Sequence, residues 1–291
     1  MKTVPTLAGA LRSELAATLR ARSSRRLLLA ALGLSVGLAM AVNALELYQA
    51  NWGAQDHCCT YSVGDLLGQF DPTPDSLRFL VAGLLPMMAF GAVACIRGHR
   101  YEVITRPSTP RARLAAKVII VAVIALLAGE IISLAAFFLG ELAFGLVVTG
   151  SLARSADLQA VIAGGIFLGA GGMLGFGLAA VQRAIAPAAS KQVVLAVTSL
   201  VWIAAWIAKV LPAAVGQWLP FQVGARITSI TPGHGFGPWT VLAVFCGYTA
   251  VIVVMGLAAG SAPRRSLPAW RLSNRKNALS GSPTVRMPEA R

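Results

Sequence analysis

The sequence predicts an all-α integral membrane protein that crosses a bilayer about six times, with both termini in the cytoplasm. Three observations predict it. Only 12% of the 291 residues are charged and 56% are hydrophobic, with a mean hydropathy of +0.70, whereas a soluble domain carries about 25% charged residues. The apolar residues fall into continuous stretches about 20 residues long, the length an α-helix needs to span a bilayer. They do not alternate with polar ones as barrel strands do. The basic residues are concentrated on alternate connections between those stretches, as the positive-inside rule requires.

The chain opens on a basic segment, 1–26, in which Leu7, Leu11, Leu15 and Leu19 recur every four residues beside Arg12, Arg20 and Arg22. This spacing predicts an amphipathic helix lying on the inner membrane surface. Leu27–Leu47 is too long for a signal-peptide core and lacks a convincing cleavage site after it, so it reads as an uncleaved span.

Five more apolar stretches follow, Leu77–Ile96, Val118–Val148, Leu158–Val181, Val193–Leu211 and Trp239–Ala259, giving a six-span domain over 27–260. The third is longer than an upright span requires, so it is expected to tilt or protrude. With the N-terminus inside, all Lys and Arg except Arg78, Arg154, Lys209 and Arg226 fall on the inner segments 1–26, 97–117, 182–191 and 260–291. The net charge of +14 is therefore a mark of membrane sidedness and not of nucleic-acid binding.

Among the connections, the first outer loop, 48–76, is acidic, with Asp56, Asp65, Asp71 and Asp75. The outer connection 212–238 contains Trp218, Leu219, Phe221 and Ile230, too apolar for a solvated loop, and is expected to dip back into the membrane. The tail 261–291 is rich in Ser, Pro and Arg without apolar periodicity and reads as disordered.

Catalytic signatures are missing from the sequence: it has no HExxH, GxSxG or GxxxxGK[ST]. The cysteines Cys58, Cys59, Cys95 and Cys246 have no CxxC spacing. His57 beside Cys58 and Cys59 could begin a soft metal site but is short of ligands, so no metal is assigned.

Two acids, Glu130 and Glu141, lie within the third span. Eleven residues apart, they return to nearly the same helix face about 16 Å along the axis. Carboxylates inside a membrane are costly and therefore point to function. With Phe137 between them they form a candidate substrate path that favours a cationic partner, although either could instead bond a neighbouring helix or meet the outer interface. The fourth span contains Gly165, Gly169, Gly171 and Gly175 at four-residue spacings that let helices approach closely. Trp202, Trp206 and Lys209 mark the outer end of the fifth stretch as an aromatic belt. The inner loop 97–117 places Tyr101, Val103 and Ile104 among Arg97, Arg100, Glu102 and Arg106 ahead of a Pro107–Pro110 turn. It predicts a short amphipathic helix that offers a docking surface to a cytoplasmic partner.

In their order, these features resemble the membrane subunit of a type-2 ATP-binding-cassette (ABC) exporter, particularly those of high-GC Gram-positive bacteria. Leu11–Leu34 looks like the interfacial helix leading into the first span, Arg100–Lys117 like the coupling helix and the start of the third, and Trp218–Ile227 like the re-entrant outer segment. The coupling segment departs from the family pattern in lacking both an acidic residue at its opening and a Gly-Thr pair within it, Glu102 standing alone among basic residues. The resemblance implies a permease in a bacterial plasma membrane, paired with a second permease subunit of the same or a homologous chain. Beneath the pair it implies cytoplasmic ATPase subunits that bind ATP and Mg, with no cofactor on this chain and membrane lipids around it. Arg97, Arg100, Tyr101, Glu102, Ile104 and Arg106 would be the ATPase-coupling residues. The cargo implied is a hydrophobic or amphipathic compound such as a drug, antibiotic, peptide or lipid. A secondary transporter driven by an ion gradient, or a membrane immunity or anchor protein without turnover, are the rival readings.

Overall fold

The computed structural model describes residues 7–56, 77–97, 110–143, 155–185, 223–224, 227 and 237–261. All regular structure among them is helical: α1 (Leu7–Arg20), α2 (Arg22–Asp56), α3 (Leu80–Arg97), α4 (Pro110–Ala143), α5 (Ser155–Ile185) and α6 (Pro238–Ser261). Four stretches, Arg22–Gln49, Leu114–Leu142, Ser155–Ile185 and Pro238–Ala259, are long and apolar enough to cross a membrane. The apolar part of α3, Leu80–Ile96, is shorter, close to the minimum of about 17 residues for a span.

Helix limits follow local chemistry more than hydropathy. Pro110 and Pro238 each occupy the first helical position of α4 and α6, where a missing N–H costs nothing and the fixed φ already suits a helix. The Gly237 carbonyl then accepts from the amides of Thr240 and Val241 at 3.0 and 3.2 Å to close the first turn of α6. As a result α4 begins eight residues before the apolar run at Val118, taking up the basic residues Arg111 and Arg113. Likewise α2 continues past Leu47 to Asp56, through the first residues of the expected outer loop. Hydropathy stops at the membrane border, but nothing in YQANWGAQ breaks a helix. Pro86 lies inside α3, where it removes one backbone bond from the helix ladder.

The helix directions are set by pairs of contacting residues. Lys117, near the start of α4, donates its Nζ to the Cys95 carbonyl near the end of α3 at 2.8 Å, so these two helices are antiparallel. Ser133 of α4 bonds Val161 of α5, while Gly129 lies against Gly165 and Gly172 against Ala125. The numbers rise in one helix as they fall in the other, so α4 and α5 are also antiparallel. Between α3 and α5 the contacts Leu80–Gly164, Leu84–Gly171 and Met88–Gly175 rise together; these two run parallel. The same holds for α5 and α6, through Phe167–Phe245, Gly177–Val253 and Ala180–Gly256. Ser35 of α2 meets Gly83 in mid-bundle, and Asn43 reaches Gly140 further along, so α2 runs with α4. One face of the bundle, the near face, thus carries the starts of α2 and α4 and the ends of α3, α5 and α6. The far face carries the opposite ends.

Helix α5 is the hub. Of its most apolar window 72% is buried, against 28–33% for the other three membrane-length stretches. Its glycines are what admit the neighbours. A Cβ on Gly175 would strike the Met88 backbone, and one on Gly91 would strike the carbonyl of Gly172. On another side Gly177 and Gly256 bring the α5 and α6 backbones together. Large side chains fill what remains, with Phe90, Phe137, Phe167, Phe176 and Phe245 almost fully buried. Val223, Gly224 and Ile227 are helical and buried, Gly224 lying against Val81 and Phe167. Helix α1 packs beside α4 through half-buried Leu11 and leaves Leu15 and Leu19 exposed. Residues Ser261–Arg291 form a unit separate from Met1–Gly260 and, beyond Ser261, lie outside the described residues, as does the apolar stretch Val193–Leu211.

Because Gly175 faces backbone, which cannot rotate away, Gly175→Ala should lower stability by about 1–3 kcal/mol, the usual cost of overpacking. Gly37, with nothing within 4 Å of where its Cβ would be, is the control: Gly37→Ala should stabilise by up to about 1 kcal/mol. Thermal unfolding of the two variants in detergent, followed by size-exclusion chromatography, should give midpoints on opposite sides of the parent's.

Candidate functional site

In an apolar bundle, functional groups are sought among the polar side chains that the helices carry below the surface. Helix α4 contributes most of them. Glu130 lies near the middle of its apolar stretch, about 24 Å along the axis from Leu114 and about 18 Å from Leu142 at 1.5 Å per residue. Its carboxyl occupies the space that Gly165 leaves vacant: a Cβ there would come within 2.5 Å of Oε2 and 2.6 Å of Oε1. The notch exists because the two backbones already touch one residue earlier. A Cβ on Gly129 would run into Gly165 and the amide nitrogen of Gly169. Gly165 and Gly169 therefore serve two ends, holding α4 against α5 and making room for an acid.

Glu130 sits at the border of α4's inward and outward surfaces. Gly129 and Ser133 are buried, whereas Leu126, Leu127 and Ile131 are 44%, 58% and 61% exposed. Glu130 as a whole is half-buried. One turn further along, the Ser133 hydroxyl donates to the Val161 carbonyl at 2.7 Å, a buried tie between α4 and α5.

The remaining sequence-derived candidates are spread through the bundle. Phe137 is fully buried, its ring edge-on to Phe138 with centroids 5.3 Å apart. Glu141 is half-buried near the far end of α4. Gly171 accommodates the Leu84 side chain, and Gly175 the Met88 backbone. Arg97 is the last residue of α3; Arg100, Tyr101, Glu102, Ile104 and Arg106 lie outside the described residues. What the structure does describe is the base of that loop, where the Lys117 ammonium caps the C-terminal end of α3 through the Cys95 carbonyl. A cation there meets both an orphan carbonyl and the negative end of the helix dipole.

Three polar residues at the far end escape a reading based on spans and motifs. Asn43 is fully buried and its Nδ2 donates to the Gly140 carbonyl at 2.9 Å, joining α2 to α4. Glu46 lies one turn beyond it on α2. Asp157 is 3% exposed in the first turn of α5, where the amino end of the helix favours a negative charge. The signal was available: Asn43 and Glu46 interrupt the run Leu27–Leu47, and any polar residue inside a span is worth pursuing. Among the described residues no three His, Cys, Asp or Glu side chains come together as a metal site would need.

The described residues define a helical protein of membrane type, in which four helices are of bilayer length and one of them is a glycine-lined hub. No known protein family matches the chain, and comparison with curated proteins and with solved structures finds no match.

The clamp at the near end is open to test. Replacing Lys117 with Gln shortens the donor and removes its charge, which should cost about 1–3 kcal/mol. The loosened end of α3 should then expose the buried Cys95 thiol. N-ethylmaleimide should modify Cys95 faster in Lys117→Gln than in the parent, and an unchanged rate would argue that the bond does not hold the end of α3 closed.

Proposed function

We propose that the chain is the permease subunit of an ATP-driven exporter of the type-2 ABC kind. In this reading it pairs with a second permease subunit above two separate ATPase subunits, which bind ATP and Mg. The observation that carries the reading is the basic segment 97–117 between two antiparallel apolar helices. Its base is tied by Lys117 to the Cys95 carbonyl, and it lies in a chain without a nucleotide loop of its own. A segment anchored at both ends can pass a displacement on to α3 and α4 together. Arg97, Arg100, Tyr101, Glu102, Ile104 and Arg106 are assigned to ATPase docking.

Six crossings are part of the proposal. The parallel run of α5 and α6, which puts Ile185 and Pro238 at opposite faces, supports a further crossing between them. Val193–Leu211 is the apolar stretch available for that return. The buried Val223, Gly224 and Ile227 support a re-entrant segment before the last crossing. The one-sided distribution of Lys and Arg supports a near face in the cytoplasm of a bacterial plasma membrane. The cargo would be a hydrophobic or amphipathic compound. Glu130 favours one rival, transport driven by an ion gradient, because a carboxyl at that depth could also carry a proton. Loss of transport with an uncoupler, at undiminished ATP, would select that rival.

Two experiments test the proposal. Charge reversal at Arg100 and Arg106 should release a copurifying ATPase while the membrane subunit keeps its elution profile; undiminished association would sink the docking assignment. For the topology, single cysteines introduced at Ala188 and Gly235 should react with a membrane-impermeant maleimide from opposite sides of the membrane. Reaction from the same side would rule out a crossing between them.

A further inference from the structure

The carboxyl of Glu130 is in an unusual position for an acid within a membrane-length helix. It is not enclosed in the bundle, where other helices could answer it, and it is not at an end, where it could reach water. The residue stands at mid-depth, half-buried, on the edge of α4 that carries the outward-facing Leu126 and Ile131. No hydrogen bond or ion pair engages it among the described residues; the hydroxyl one turn away, on Ser133, is committed to the Val161 carbonyl. The Gly165 notch holds the carboxyl against the backbone of α5, so that it cannot extend along its own helix towards the headgroups.

We infer that Glu130, seated in the Gly165 notch, is a binding site for lipophilic organic cations that reach it sideways from the hydrocarbon. A carboxylate in a medium of low dielectric attracts an opposite charge far more strongly than it would in water. A small hydrated cation does not travel through hydrocarbon, because its dehydration is too costly. A cation whose charge is spread beneath aromatic or alkyl groups does travel through it, and it meets an apolar surface of matching character in Leu126, Leu127 and Ile131. Gly165 matters as much as the acid, because its missing side chain lets the carboxyl lie against α5. This specifies the cargo class of the transporter reading and rests on that reading for its physiological meaning. The site itself needs neither an ATPase nor ATP.

The test uses the full chain in phosphatidylcholine nanodiscs, without ATPase or nucleotide, and two size-matched probes of opposite charge, tetraphenylphosphonium and tetraphenylborate. The parent should bind tetraphenylphosphonium saturably, above the partitioning seen with empty nanodiscs, and should show no saturable site for tetraphenylborate. The near-isosteric Glu130→Gln should weaken cation binding at least about tenfold, as loss of a charge pair in a poorly screened site predicts. Gly165→Ala should weaken it too, since the added methyl takes the carboxyl's seat. As a measurement that needs no variant, dicyclohexylcarbodiimide, a lipid-soluble carboxyl reagent, should modify Glu130 in the parent, and tetraphenylphosphonium should protect it. Absence of saturable cation binding to the parent, equal affinity in parent and Glu130→Gln, or carbodiimide modification indifferent to the cation would each overturn the site. Cation binding without any associated ATPase would keep the site and overturn the exporter reading; an associated ATPase without cation binding would do the reverse.

Discussion

The rest of the structure depends on how closely backbones can approach α5. Helices in a membrane gain little by leaving lipid for one another, since lipid tails are as apolar as leucine. Their association rests on close packing and a few polar bonds. Along α5, glycines supply that packing on several sides at once. Gly172 and Gly175 meet α3, Gly165 and Gly169 meet α4, and Gly177 meets α6. A side chain at Gly169, Gly175 or Gly177 would hold two main chains apart and forfeit dispersion contacts along the seam. The glycines weaken α5 as an isolated helix, and the neighbours they admit more than offset that weakness.

Polar side chains then fix what packing alone leaves free to slide. Ser133 ties α4 to α5, Asn43 ties α2 to α4, and Lys117 joins the end of α3 to the start of α4. All three donate to main-chain carbonyls. A carbonyl already engaged in a helix still has a second lone pair, so such a bond sets axial register without breaking the helix that accepts it. The ties lie at different depths, at the far end, in the middle and at the near end, and so oppose sliding and tilting of α4 alike. Glu130 stands apart from them as an acid held in position by shape, beside a glycine, with no donor among the described residues.

Much of this architecture can be read in the residues, and the part that cannot has identifiable causes. Span positions follow from hydropathy because burial in hydrocarbon selects for it directly, and the glycine spacing in Leu158–Val181 announces close approach. Helix ends are legible only where a residue has a conformational preference. Pro238 marks the start of α6, while the extension of α2 to Asp56 leaves no sign because its residues are merely permissive. Of the site, Glu130 is conspicuous as an acid in an apolar run, but its seat on Gly165 is a contact between residues 35 positions apart, which periodicity along one helix cannot reveal. The same limit hides the Asn43–Gly140 bond. Phe137 shares a helix with the two acids but not their partial exposure, being fully buried.

The parallel alignment of α5 and α6 has a consequence for how the protein is made. Neighbouring helices that run antiparallel can pair as a hairpin as soon as the second emerges, as α4 and α5 can. Helix α6 has no such route to α5. Its seat at Phe167, Gly177 and Ala180 waits for α6 while the ribosome delivers all of 186–237. During that interval the hub is complete on the sides facing α3 and α4 and bare on the third. The nascent chain therefore presents a glycine-lined groove to the surrounding lipid, or to any chaperone in the membrane, until α6 has been synthesised.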